Sequence, residues 1–190
     1  MKKTSILLGL LFLFILPSLA QNQLKTHFEK ELINYTTAFN NKQWNTVTAM
    51  MYPKIFDLMS KENLVLILEN MDQLGVNMTT EFQSINGISK VIENGGEKFC
   101  KIHYHGIIKV KLSGLMTQGS TLMQPKFEKE FGKENVKYNE TTNSFTINAK
   151  RSMVAVSGKN NSMWKYIDIN SPQAPGLKNL IPVSVRKQLN

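Results

Sequence analysis

Residues 98–112, KFCKIHYHGIIKVKL, alternate between apolar and polar side chains along most of their length. Cys100, Ile102, Tyr104, Ile108, Val110 and Leu112 fall on one parity, and Lys101, His103, His105, Lys109 and Lys111 on the other. Period-two alternation over so many residues is the signature of a long strand with one buried and one wetted face. Antiparallel sheets tolerate such a face, whereas parallel sheets are covered on both sides. Asn94-Gly95-Gly96 just upstream is a turn signal, so this strand opens as the second arm of a hairpin.

Outward from it, the two halves of the chain differ. Upstream, Leu24, Phe28, Leu32, Tyr35 and Phe39 recur at steps of three and four, one stripe of a helix of about four turns. Asn40-Asn41 interrupts it. Trp44, Val47 and Met51 predict a second, shorter helix ended before Pro53. Ser60 is a suitable N-cap, with Glu62 in the first turn, for a third helix carrying Leu64, Ile67, Leu68 and Met71 and stopped at Gly75. Downstream, residues 125–134 (PKFEKEFGKE) read as a short charged excursion. Residues 144–156 read as a strand or a pair of strands, with a turn at 158–161. MWKYIDI (163–169) is the last strand, 171–176 a loop, and a short helix begins at Pro182. Helices first and a long-stranded antiparallel sheet afterwards predict an α+β domain with the helices on one face of the sheet.

The amino terminus has a separate character. Met1-Lys2-Lys3 is basic, Ile6 to Leu16 is apolar but for Gly9, and Pro17 precedes Ser18-Leu19-Ala20. That is the three-part pattern of a secretory signal peptide cleaved before Gln21, with an apolar run too short to span a bilayer. No cysteine follows it, which excludes a lipoprotein anchor. The expectation is an exported chain, periplasmic or secreted, with residues 1–20 a leader, residues 21–190 one domain, and no transmembrane segment after cleavage. Of 190 residues, 23 are basic and 14 acidic, a net charge of +9. Losing twenty residues, two of them basic, leaves 170 and +7. Only Arg151 and Arg186 are arginine, and nucleic-acid readers lean on the guanidinium fork. A scattered lysine surface is the reading, without nucleic acid as a partner.

The order of elements resembles the nuclear transport factor two-like (cystatin-like) superfamily. Met51 to Phe56 (MYPKIF), Trp164 to Asp168 (WKYID) and Leu177 to Pro182 (LKNLIP) carry the likeness. More narrowly, the chain is similar to small exported proteins of that type from Bacteroidetes. The resemblance implies three amino-terminal helices packed in a curved, cone-shaped antiparallel sheet with a cavity at its wide end, followed by a short carboxy-terminal helix. The superfamily holds isomerases and dehydratases as well as non-catalytic binding and dimerisation modules, so it implies fold more sharply than function.

Candidate chemistry is sparse. Tyr52, Phe56, Tyr104, Trp164 and Tyr166 form either core or the lining of a hydrophobic pocket, with phenol and indole donors to orient a ligand. Strict alternation from Phe145, Ile147 and Ala149 carries Arg151 inward, where it would bind an anionic headgroup. A bulge at Lys150-Arg151-Ser152 would instead turn it outward. An isomerase-like site needs a carboxylate base beside a tyrosine in an apolar cavity. Asp57 and Asp168 are the available acids, and no spacing assigns them as catalytic. His103 and His105 share a strand face, but so do Lys101 and Lys109, and His27 stands apart. No metal and no cofactor is expected. Cys100 cannot form an internal disulfide and reads as a small buried hydrophobe. Asn34, Asn77, Asn139 and Asn160 match the glycosylation pattern by chance in an asparagine-rich chain. The leading expectation is an exported, non-catalytic binding or scaffolding module that holds a small apolar or anionic ligand or dimerises through its sheet. The alternatives are a small isomerase or lyase, and an envelope protein-interaction module without ligand.

Overall fold

The computed structural model describes residues 15–158, 163–170 and 175–189. Most of the leader, much of the turn read at 158–161 and most of the 171–176 loop lie outside them. The first helix, α1 (Ile15–Asn40), begins well before Leu24 and buries Phe28, Leu32 and Ala38. After a tight turn comes α2 (Trp44–Met50), and Pro53 opens a 3-10 turn (Pro53–Asp57) rather than extending the helix. The third helix, α3 (Lys61–Gln73), starts where Ser60 Oγ accepts the Asn63 amide at 3.2 Å. It ends at Gly75, whose φ of +90° is one that L side chains resist.

Strands β1 (Val76–Ile88), β2 (Ile92–Asn94) and β3 (Glu97–Leu112) follow, the last two joined through Gly95-Gly96 as the turn signal predicts. After a 3-10 segment (Gly114–Gly119) the chain forms α4 (Ser120–Phe131), then β4 (Val136–Asn139), β5 (Ser144–Gly158) and β6 (Lys165–Asp168). A 3-10 segment (Pro175–Leu180) and α5 (Val183–Arg186), capped by Pro182, close the described chain. All strand pairs are antiparallel. The order is β1-β3-β5-β4, with β2 lying beside one end of β3 and β6 beside one end of β5. Two long central strands are thus flanked by edges each made of two pieces. In β1 the register slips at Phe82/Ser84 and at Ile85/Gly87, and such bulges bend a sheet. The result is an α+β domain in which helices pack on a curved, unclosed antiparallel sheet.

Three apolar clusters hold it. On the helix-bearing face, Phe28, Leu32, Cys100, Ile102 and Tyr166 form one, and Val110, Leu112, Phe145 and Ile147 form another at the opposite end. The third lies mainly on the other face, where Phe99, Val154 and Val156 meet Ile181, Val185 and Leu189 of the carboxy-terminal segment. Alternation alone assigns that face to water. The terminal segment crosses it instead and buries Phe99 completely. The segment read as a charged excursion is a three-turn helix whose Met123, Phe127 and Phe131, four residues apart, pack on the sheet.

Candidate functional site

The concave face keeps a cavity of about 400 Å³ between its two clusters, and its cause is visible in the strand register. Gly106 of β3 lies directly opposite Ala149 of β5, so at this level of the floor two of the smallest inward residues face each other. To one side the opposed pairs are Ile108–Ile147 and Val110–Phe145, which fill the sheet floor. To the other side stands Tyr104–Arg151. A side chain on Gly106 would also press on the Glu81 carbonyl of β1, 3.0 Å from a Cβ built there. Met71, Met78, Met123 and Phe127 enclose the apolar walls, while Tyr35, Tyr104, Glu130, Arg151 and Asp168 form the polar end. Volume and composition match small-molecule pockets, which are mostly apolar with a few placed polar groups.

Arg151 lies inward, in regular register with Tyr104, so the bulge alternative does not occur. Its Nη1 donates to Glu130 Oε1 at 2.9 Å and its Nη2 to Asp168 Oδ2 at 2.6 Å. The guanidinium also lies 5.4 Å from the centre of the Phe131 ring, and the side chain is 13% exposed. Asp168 Oδ1 accepts the Asn170 amide at 2.8 Å, so both carboxylate oxygens are engaged. Tyr35 and Tyr104 stand close enough to Asp168 to feel its charge. Burial first and that charge second push the Tyr35 phenol up to about 12, and both causes raise Tyr104 as well. Both phenols therefore stay neutral hydrogen-bonding groups at any physiological pH.

Of the six pocket candidates, the structure brings two into the cavity, Tyr104 and Arg151. Tyr166 is core, its ring 6.3 Å edge-on to Phe28. Trp164 packs on the same ring at 5.3 Å. Tyr52 pins the sheet edge: its amide donates to the Tyr166 carbonyl, and its hydroxyl to Glu97 Oε1 at 2.8 Å. Phe56 is half-buried on the first 3-10 turn, outside the cavity lining. Asp57 is exposed. Sequence reasoning missed Tyr35, Glu130 and the inward direction of Asp168. Tyr35 belongs to the apolar stripe of α1, and Asp168 shares parity with Trp164 and Tyr166, so the signal was present in both. His103 bonds Ser152 across the strands, Nδ1 to Oγ at 2.7 Å, on the opposite face. Among the described residues no three His, Cys, Asp or Glu side chains converge as metal ligands, and no helix is long and apolar enough to cross a membrane. No protein-family model matches the chain, and neither does any curated protein.

Proposed function

We propose that this chain is an exported, non-catalytic binding module of nuclear transport factor two-like architecture that holds a small, uncharged, largely apolar molecule in its concave cavity. The observation that carries the reading is the cavity itself, about 400 Å³ of mostly apolar wall floored by the Gly106–Ala149 pair. Its polar end favours a neutral group over an anion. Arg151 is matched by two carboxylates, so that end carries a net charge of −1, and an incoming anion would be repelled. The neutral phenols of Tyr35 and Tyr104 supply hydrogen bonds to a carbonyl or hydroxyl instead.

The isomerase or lyase alternative draws less support. A general base needs a carboxylate with an accessible lone pair near the reacting carbon. Asp168 has one oxygen on Arg151 and the other on a backbone amide, and Glu130 is drawn to the same guanidinium. Dimerisation through the sheet also draws little support. Its open face carries Lys109, Lys111, Thr146, Asn148 and Lys150, and a two-fold contact would set lysines against their own copies.

The test is binding of the neutral, apolar fluorophore N-phenyl-1-naphthylamine, with native mass spectrometry of protein taken from its own host. The folded chain is expected to bind the fluorophore and to carry a small neutral adduct. Ala149→Phe, which fills the floor, should keep the circular dichroism and lose both. Fluorophore binding that survives Ala149→Phe in a folded protein would refute the assignment. Mass spectrometry also reads the leader, since export predicts a mature chain starting at Gln21.

A further inference from the structure

The opposite face of the sheet carries a second recess, about 570 Å³, where the carboxy-terminal segment crosses β3 and β5. Val154, Ile169, Ile181 and Leu189 give it an apolar base. Lys101, Lys178, Arg186 and Lys187 surround that base, and no Asp or Glu is among the described residues that line it. Among the described residues none of these four cations takes part in an ion pair. This contrasts with Arg151, the other arginine, which holds two. Arg186 adds a sharper observation: its Nε is buried and has no hydrogen-bond partner among the described residues. Folded proteins rarely keep a buried donor unmatched, because its desolvation is uncompensated, so such an atom marks a place where an acceptor belongs.

From this we infer that the recess is a second ligand site, for a small amphiphilic carboxylate: an alkanoate whose chain lies along Ile169 and Val183, over the buried Val154 and Ile181, and whose headgroup meets Arg186 and Lys101. Burial of the chain and a charge-assisted bond to a guanidinium are separately weak at an open site and together selective. The site is independent of the concave cavity. Consecutive residues of β5 point to opposite faces, so Arg151 serves one and Ser152 the other.

The experiment is calorimetric titration of the folded chain with dodecanoate below its micellar concentration, with acetate and dodecyl maltoside as the charge-only and chain-only controls. Dodecanoate is expected to bind more tightly than either control and more weakly as salt rises. Lys101→Gln should weaken it about tenfold, the loss of one charged hydrogen bond. Arg186→Lys keeps the charge but removes the Nε–H and should weaken it to a similar degree. Ala149→Phe should leave it unchanged. Equal binding of maltoside, no binding of dodecanoate, or binding lost in Ala149→Phe but retained in Lys101→Gln would each overturn the assignment. Thermal melts of each variant identify any that fail to fold, and Lys101→Gln, at a half-exposed strand position, carries the test if Arg186→Lys is among them.

Discussion

Replacing Arg151 by methionine tests whether this residue anchors the cavity or reads its ligand. Methionine keeps much of the length and apolar volume while deleting the charge, the two bonds of 2.9 and 2.6 Å, and the contact with Phe131. Hydrogen bonds to charged partners contribute about 1.5–3 kcal/mol each. Glu130 and Asp168 are 25% and 39% exposed, so water recovers part of that on their side. The substitution also leaves two carboxylates facing each other across the site. We expect a net loss of about 3 kcal/mol, toward the low end for breaking a buried pair. In a domain of this size that lowers Tm by roughly 6–12 °C. Differential scanning calorimetry measures it. Adding Glu130→Gln and Asp168→Asn should restore most of the stability, because the cost lies in the charges left unmatched. If Arg151→Met moves Tm by less than about 2 °C and abolishes binding of the neutral fluorophore, the reasoning is refuted: the guanidinium would then be a ligand contact rather than an anchor.

Four other positions give outcomes of their own. Gly75→Ala should cost at least about 2 kcal/mol in chemical denaturation, from a left-handed backbone and a Cβ pressed into the Ser113 carbonyl oxygen. Gly87→Ala, with ordinary φ and open space around its Cβ, should be close to neutral. Burial pushes the Cys100 thiol up to about 11, so the folded chain should resist a thiol reagent at pH 8 and react only on unfolding. The His103 imidazole is held below its ordinary 6.5 by burial and then by the charge of Lys101. The unfolded chain then takes up that proton first, so this contribution to stability is present above 6.5 and declines as pH falls through the folded value. Urea midpoints at pH 7.5 and 5.0 should differ less for His103→Gln than for the parent chain.

The sequence displays the long central strand because alternation is a property of single residues, and Ser60, Gly75 and Gly95-Gly96 punctuate the elements by local backbone chemistry that needs no partner. Arg151 was legible to the extent that strict alternation points it inward. Its neutralisation was not, since Glu130 sits on a helix whose proline and charges masked the four-residue spacing of Met123, Phe127 and Phe131. The aromatic set misled for a related reason. Tyr52, Trp164 and Tyr166 share the composition of a pocket lining, but which ones border a void depends on where small residues meet across strands. That meeting of Gly106 with Ala149 is a fact of register, forty-three positions apart in sequence. The burial of Phe99 likewise required knowing that residues 175–189 return across the sheet.

Register also explains why one sheet supports two recesses of opposite character. Along β5 the inward series Ala149, Arg151, Met153 and the outward series Lys150, Ser152, Val154 interleave, so a shift of one residue would exchange the two linings entirely. On the concave side Arg151 is the one cation among the described lining residues, and it is outnumbered by Glu130 and Asp168. On the other side four cations meet no acid among the described residues. Two acids in one described lining and four bases in the other are what lead us to propose neutral apolar molecules for the first and anionic amphiphiles for the second. A change of charge at either place should therefore alter its own recess and leave the other alone. Asp168→Asn leaves the polar end of the cavity without net charge and should admit dodecanoate there, detectable as a second, Ala149→Phe-sensitive phase in the titration. If no such phase appears, the exclusion of anions from the cavity rests on shape rather than on charge.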